Sequence, residues 1–422
     1  VNTLRSVPSK REPPEQGRLT RWMKPRLLAQ LARLEHGEIT LIDGHERHLL
    51  GAGGVLRVTL VIRHPKAWKR MALGGTVGAA ESYMDGDWDA DDLVALVRLF
   101  AANLERVNTE MEGGLASLGR WLLAAIHRRQ RNNLSGSRRH IAAHYDIGNE
   151  LFETFLDHRH WMYSSAVFPS PDASLEEAST HKLDVMLDKL DVRAEHHLLE
   201  IGTGWGGLAI HAAKTRGCRV TTTTISEAQY AHTARLIIAE GLQDRITLLK
   251  QDYRELVGRY DRLISVEMIE AVGHQYLPTY LATLDRLLNA GGQAMLQAIT
   301  VRDQRYESAR KEMDFIKRYI FPGGFLPSPT AILQGLTRHT SLNLLALDDI
   351  GPHYARTLRE WRHRFEANLD RVARLGYDER FIRMWRYYLS YCEGGFLERS
   401  ISTCHLLLAK PGARPAPLIG QP

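Results

Sequence analysis

Leu198-Leu199-Glu200-Ile201-Gly202-Thr203-Gly204-Trp205-Gly206-Gly207 is the stretch on which the fold turns. The apolar run HHLLEI (196–201) passes directly into glycines at 202, 204, 206 and 207. A short apolar run bounded by a turn signal reads as a buried strand. Glycine lets the chain turn tightly and lets a ligand approach the backbone, and a helix starting there presents free N–H groups. Working outward, RVTTTTI (219–225), RITLLK (245–250), RLISVEM (262–268) and GQAMLQAIT (292–300) are further strand candidates. Helical segments such as EAQYAHTARLIIAEG (227–241) separate them. The alternation predicts an α/β fold, a mostly parallel sheet with helices on both faces. STCHLLLAK (402–410) reads as a late strand closing the sheet edge. In such sheets ligands bind at the carboxyl ends of the strands, where the Gly-rich turn lies.

Upstream the pattern differs. Residues 1–17 are polar, with Pro8, Pro13 and Pro14 among charges, and read as a disordered tail without a signal-peptide core. A helix is expected over 20–34, then two strands around the Asp43-Gly44 turn, then the β-branched strand VLRVTLVIRH (55–64). WDADDLVALVRLFAANL reads as a helix with Asp89 or Asp91 as its cap. The expected division is a tail at 1–17, an α+β domain over 18–125, a basic linker at 126–140 and a catalytic domain over 141–412.

The chain has 422 residues, and no apolar run approaches the roughly 20 that a membrane-spanning helix needs. Cys218, Cys392 and Cys404 are far apart and form no C-x-x-C, which argues against a disulfide framework or a zinc site. His140 and His144 are spaced i, i+4 but lack a third ligand, so no metal is expected. A cytoplasmic location follows. Formal net charge is +6. Arg128, Arg129, Arg131, Arg138 and Arg139 fall in one stretch without an acid, which suits a solvated face, docking to an anionic membrane surface or, last, nucleic acid.

The glycine spacing is G-x-G-x-G after an acid, Glu200. A dinucleotide site would show G-x-G-x-x-G with an acid about 20 residues later. The spacing here is the S-adenosylmethionine (SAM) version. The usual ribose-binding acid at the end of the second strand is missing. Thr223-Thr224-Ile225-Ser226 and Gln229 stand there, and hydroxyl and amide groups can replace its hydrogen bonds. Asp252 is the candidate for the adenine amino group. After the fourth strand, SVEMIEAVG (265–273) has no Asn/Asp-Pro-Pro-aromatic motif, which argues against methylation of a nucleic-acid base, so no nucleic-acid partner is expected. Glu270 occupies the region, as a site carboxylate or as an acid favoured at a helix N-terminus.

Ordered motifs then accumulate. They include HYDIGNELF (144–152), YSSA (163–166), TIS (224–226), QDYR (251–254), EAVG (270–273), YIFPGG (319–324), LPS (326–328), PHY (352–354) and, upstream, ESYMDGDW (81–88). Through residues 140–410 the sequence resembles the cyclopropane-fatty-acyl-phospholipid synthase family, including relatives that make methyl- or methylene-branched fatty acids. The resemblance implies a class I SAM-methyltransferase with a seven-stranded sheet, acting on the cis double bond of unsaturated phospholipid acyl chains. It implies SAM contacts from Tyr163, Ser164, Gly202, Gly204, Thr224, Gln229 and Asp252, with Tyr145 packing at the same site. It further implies a bound bicarbonate as the base, held by Glu270, Tyr354 and the Ile299 amide. Two positions depart: Ser165 stands for the family's Cys and Gln297 for its His. Both can hydrogen-bond an anion, but Gln cannot become cationic.

Ring closure is the first expectation. A branched product is the alternative, toward which Gln297 and the string 266–273 lean. Helices between about 300 and 400 are expected to cover the site. Trp385, Tyr387, Tyr388, Tyr391 and Phe396 suit either an acyl tunnel or ordinary core. By resemblance, the N-terminal domain presents lipid at the inner face of the membrane and the enzyme is a homodimer. Two alternatives of other classes remain: a catalytically inactive lipid-binding protein, opposed by intact Glu270, Tyr354 and the Gly loop, and an RNA or protein methyltransferase, favoured only by the basic charge and lacking a substrate-site motif.

Overall fold

A computed structural model of the protein describes residues 18–103 and 148–415. The basic linker, Tyr145, His140 and His144 therefore lie outside the described residues. Two sheets are present among the described residues. The smaller comprises β1 (Gly37–Asp43), β2 (Glu46–Gly53), β3 (Arg57–Ile62) and β4 (Trp88–Ala90), in the order β2-β1-β3-β4. β1 pairs antiparallel with β2 around the Asp43-Gly44 turn, and parallel with β3. Alternating β1 side chains give one buried face, with Ile39 and Leu41 inside.

The larger sheet comprises β5 (His197–Ile201), β6 (Arg219–Thr224), β7 (Ile246–Lys250), β8 (Tyr260–Val266), β9 (Leu288–Val301), β10 (Asn343–Asp349) and β11 (Ile401–Ala409). Its order is β10-β11-β9-β8-β5-β6-β7. β11 runs antiparallel to both its neighbours, and the other pairs are parallel. This is the mostly parallel sheet expected from the alternation, with the seven strands that the resemblance implies. β6 is Thr-rich because β-branched side chains suit a strand. Its buried hydroxyls are satisfied: Thr222 bonds to Glu200 and Thr203, and Thr223 to the Gln251 carbonyl.

Two expectations need correction. The 402–410 segment does not close the sheet; β10 lies outside it as the edge strand. β10 carries exposed Leu344, Leu345 and Leu347 and so lacks the alternation that marks a half-buried strand. The helix Leu93–Ala102 is capped by Asp92, whose carboxylate accepts from Ala95 N. Asp91 instead accepts from Thr59 N, and Asp89 pairs with Arg63 and Arg383.

The small sheet does not have a core of its own. Its buried residues belong to the same apolar cluster as the helices Gly351–Ala367 and Glu379–Leu397, including Trp361, Trp385 and Phe396. Arg383 stitches the two parts together, donating to the carbonyls of Tyr83 and Trp88 and pairing with Asp89 at 2.7 Å.

Candidate active site

A cavity of about 220 Å³ opens at the carboxyl ends of β5, β6 and β8. The chain leaves β5 through Gly202 (φ 101°) and Gly204 (φ 54°), conformations that disfavour a side chain. A Cβ on Gly204 would meet nothing within 4 Å, so the bare backbone faces open space where a ligand can lie against it. Trp205 Nε1 donates to Asn149, which ties the 148–152 motif to this loop. Seven of the eight residues expected at the cofactor line the cavity: Tyr163, Ser164, Gly202, Gly204, Thr224, Gln229 and Asp252. Thr224 donates to Gln229 Oε1 at 2.8 Å, which leaves the Gln229 amide NH₂ as the donor on that wall. Asp252 is held by Arg254 through Nε and the second guanidinium nitrogen at 2.8 and 2.7 Å. These residues fit SAM.

The opposite wall is built from carboxylates. Glu270 lines the cavity, and its Oε1 accepts from Ile299 N. Its Oε2 is buried without a hydrogen-bond partner. Burial first, and the neighbouring Glu267 charge second, push the Glu270 carboxyl up to about 8. Ser165, Gln297 and Tyr354 do not reach Glu270. They converge on Glu267, which no sequence argument had singled out. Glu267 Oε1 accepts from Ser165 N at 2.9 Å and from Gln297 Nε2 at 2.7 Å, and Oε2 accepts from Tyr354 OH at 2.7 Å. The expected role of the Ser165 hydroxyl is corrected, since it donates to the Ala166 carbonyl and only the backbone amide serves the anion. Burial raises the Glu267 carboxyl, while these donors and the Lys182 charge hold it back. With three donors against one, the charge of the pair resides on Glu267.

The donors expected around bicarbonate are thus engaged by Glu267 and Glu270, and the residues present do not fit a further anion on those donors. Two supporting residues also went unread in the sequence. Lys182 is fully buried and donates to Ser164 Oγ at 3.0 Å; burial pushes its ammonium down to about 8. His405 faces Gln297 across the β9–β11 ladder, and its Nε2 lies 2.9 Å from Gln297 Oε1. Burial pushes His405 down to about 3, so it is neutral and donates that hydrogen bond. The signal available for Glu267 was a second acid three residues before Glu270, in the string SVEMIEAVG.

The helices after β9 do cover the site. A π-helical turn, Ile316–Ile320, delivers Phe321 and Pro322 to the cavity lining, and Tyr354 comes from the helix Gly351–Ala367. Trp385, Tyr387, Tyr388, Tyr391 and Phe396 do not line it. They form the aromatic core behind it, where Tyr388 OH meets Tyr163 OH at 2.8 Å and Phe396 packs 4.5 Å from Tyr354.

Comparison with known proteins shows the family and the fold. The family described as mycolic acid cyclopropane synthetase matches residues 132–406. The tuberculostearic acid methyltransferase UfaA1 of Mycobacterium tuberculosis is 37% identical over 370 residues, covering 86% of each chain. The cyclopropane-fatty-acyl-phospholipid synthase of Escherichia coli K12 is 34% identical, over 83% of this chain and 87% of its own. Among solved structures, the cyclopropane synthase MmaA2 from Mycobacterium tuberculosis superposes with a TM-score of 0.61 at 27% identity, over 65% of this chain and 98% of its own. A mycolic acid cyclopropane synthase complexed with SAH gives a TM-score of 0.60 at 27% identity, with the same coverage.

Proposed function

The chain belongs to the mycolic acid cyclopropane synthetase family and is a SAM-dependent methyltransferase, and from that premise we propose that it methylates the cis double bond of an unsaturated phospholipid acyl chain. The observation that carries the proposal is the pair of carboxylates, Glu267 and Glu270, on the wall of the same cavity as the Gly loop, both half-buried, with Glu270 Oε2 shut off from any hydrogen-bond partner. An alkene is a weak nucleophile, and its methylation leaves a carbocation. That cation needs a nearby anion and a wall that excludes water, which would trap it. Glu267 provides the charge; Met268, Val272, Phe321 and Pro322 provide apolar lining.

When bound, SAM supplies an electrophilic methyl on a sulfonium. The chain's own groups hold and aim it. Gly202 and Gly204 would admit the ligand against bare backbone, Thr224 and Gln229 would offer hydroxyl and amide groups to its ribose, and Asp252 would accept from its adenine amino group. Tyr163 and Ser164 close the other side, with Ser164 fixed by Lys182.

Loss of a proton as a ring closes gives a cyclopropane. A second reading, a methyl- or methylene-branched chain, is favoured by the way Glu267 is held. Three hydrogen bonds draw charge from that carboxylate, so it accepts the proton late. A late transfer leaves time for the neighbouring hydride to migrate onto the cation. Docking to anionic lipid through the basic segment 126–140 belongs to the same proposal; no helix among the described residues is long and apolar enough to cross a membrane.

The test is incubation with methyl-labelled SAM and vesicles of monounsaturated anionic phospholipid, followed by mass spectrometry and proton NMR of the acyl chains. Label in the chain is expected. Upfield ring protons assign ring closure, and vinylic or branched-methyl signals assign the second reading. No label in lipid, with SAM binding confirmed, overturns the substrate.

A further inference from the structure

We propose that the Glu267 carboxylate takes the seat of the mobile anion and is itself the base that receives the substrate proton, so that this enzyme works without bicarbonate. The proposal rests on the alkene-methylation reading for the reaction, but its binding part stands apart from it. Three donors from three separate parts of the fold converge on one side chain: the Ser165 amide, the Gln297 amide on β9 and the Tyr354 hydroxyl on the helix Gly351–Ala367. Gln297, Tyr354 and residue 165 are the positions expected to hold a free anion, the last through its hydroxyl rather than the amide that serves here, and a carboxylate of the chain takes up their donors.

The backbone is shaped to put it there. Glu267 has φ 48°, a left-handed conformation that a Glu side chain rarely adopts. Its N–H donates to the Gln297 carbonyl at 2.8 Å, so Gln297 clasps the residue at both the backbone and the side chain. The Gln297 amide cannot turn over freely, because His405 occupies its oxygen. Strain of this kind persists where the surroundings over-determine it, and it concentrates at working sites. The buried Lys182 adds a positive charge on the same side.

The step balances without another reagent. The alkene π pair forms the C–C bond to the sulfonium methyl as the S–CH₃ bond breaks, and that bond's electron pair stays on sulfur as a neutral thioether. The positive charge falls on the other alkene carbon. Glu267 then accepts one proton from the substrate, and the C–H electron pair closes the ring or forms the new double bond. The proton leaves Glu267 for solvent before the next turnover.

The test combines binding and rate. In ¹³C NMR of labelled bicarbonate, the wild-type protein should leave the bicarbonate line sharp, whereas Glu267→Gly, which vacates the seat and suits the positive φ, should broaden it. In methyl transfer under CO₂-free conditions, wild type should proceed at its full rate with no gain on adding bicarbonate. Glu267→Gly should fall about 100-fold or more, as for loss of a general base, and recover in part when bicarbonate is supplied. Glu267→Gln keeps the size of the side chain and should bind SAM by calorimetry yet turn over as poorly. Loss of wild-type rate without CO₂ and its return with bicarbonate would overturn the proposal, as would full turnover by Glu267→Gln or broadening by wild type equal to that by the Gly variant. If wild type labels no acyl chain but the broadening contrast holds, the substrate reading fails while Glu267 remains assigned to the seat.

Discussion

The two walls of the cavity are built in different ways. The cofactor wall comes from the carboxyl ends of adjacent parallel strands: Glu200 to Trp205 where β5 ends, residues from Thr223 to Gln229 where β6 ends and Gln251 to Arg254 after β7. Each piece is local, and its key feature is backbone shape. The carboxylate wall is assembled from chain segments far apart in sequence, with contacts such as Ser165–Glu267 and Tyr354–Glu267 spanning about a hundred residues or nearly so. Its key feature is mutual hydrogen bonding, so one substitution there disturbs several groups. The first wall should therefore control cofactor affinity, and the second the rate at saturating cofactor.

The sharpest break between the walls is Glu267→Gln. Turnover should fall by roughly 100- to 10,000-fold, the range for loss of a positioned base, with the SAM dissociation constant little changed. Single-turnover methyl transfer beside calorimetric SAM binding measures both. A parallel loss of SAM affinity would mean the walls are not separable. On the other side, Gly204→Val places a β-branched residue at φ 54° and a side chain in the ligand's space. SAM affinity should drop about tenfold or more from the backbone cost alone. Rate at saturating SAM should survive better than in Glu267→Gln. Gln297→Ala removes one of the three donors to the Glu267 carboxylate. A charged hydrogen bond of this kind predicts about a tenfold fall in turnover with SAM affinity preserved.

The same contrast explains what the sequence revealed. The Gly loop, Thr224, Gln229 and Asp252 were legible because each sits at a fixed offset from a recognisable strand end. The parallel sheet was legible from alternating runs. β10 was not, because its exposed leucines mimic neither a buried run nor an alternating one. Glu267 was overlooked beside Glu270. Nothing in a linear string tells that a β9 amide, a loop N–H and a helix hydroxyl meet on the first acid rather than the second. His405 was equally hidden, since its role depends on the β11–β9 register that places it opposite Gln297. Nothing in the sequence of the helix Leu175–Lys189 marks Lys182 apart from its other polar positions, yet it is fully buried.

The smallest effect at neutral pH, and the one that best separates the two acids, is expected for Glu270→Gln. The folded protein holds the Glu270 proton up to about 8, whereas an unfolded chain releases it near 4.5. Between those values folding takes up a proton, so this group lowers stability as pH rises through that window, and the penalty is complete only above it. Below the ordinary carboxylate range both states are protonated and the group contributes nothing. Gln mimics the neutral acid and removes the titration. The variant's melting temperature should match wild type near pH 4 and exceed it increasingly toward about pH 8 and beyond. In activity, wild type should decline above about 8 as a second negative charge appears beside Glu267, and the variant should lack that limb. At neutral pH the variant should retain most turnover, because Glu270 is neutral there in both proteins. If it falls as far as Glu267→Gln, Glu270 carries the charge of the pair, and the roles of the two carboxylates must be exchanged.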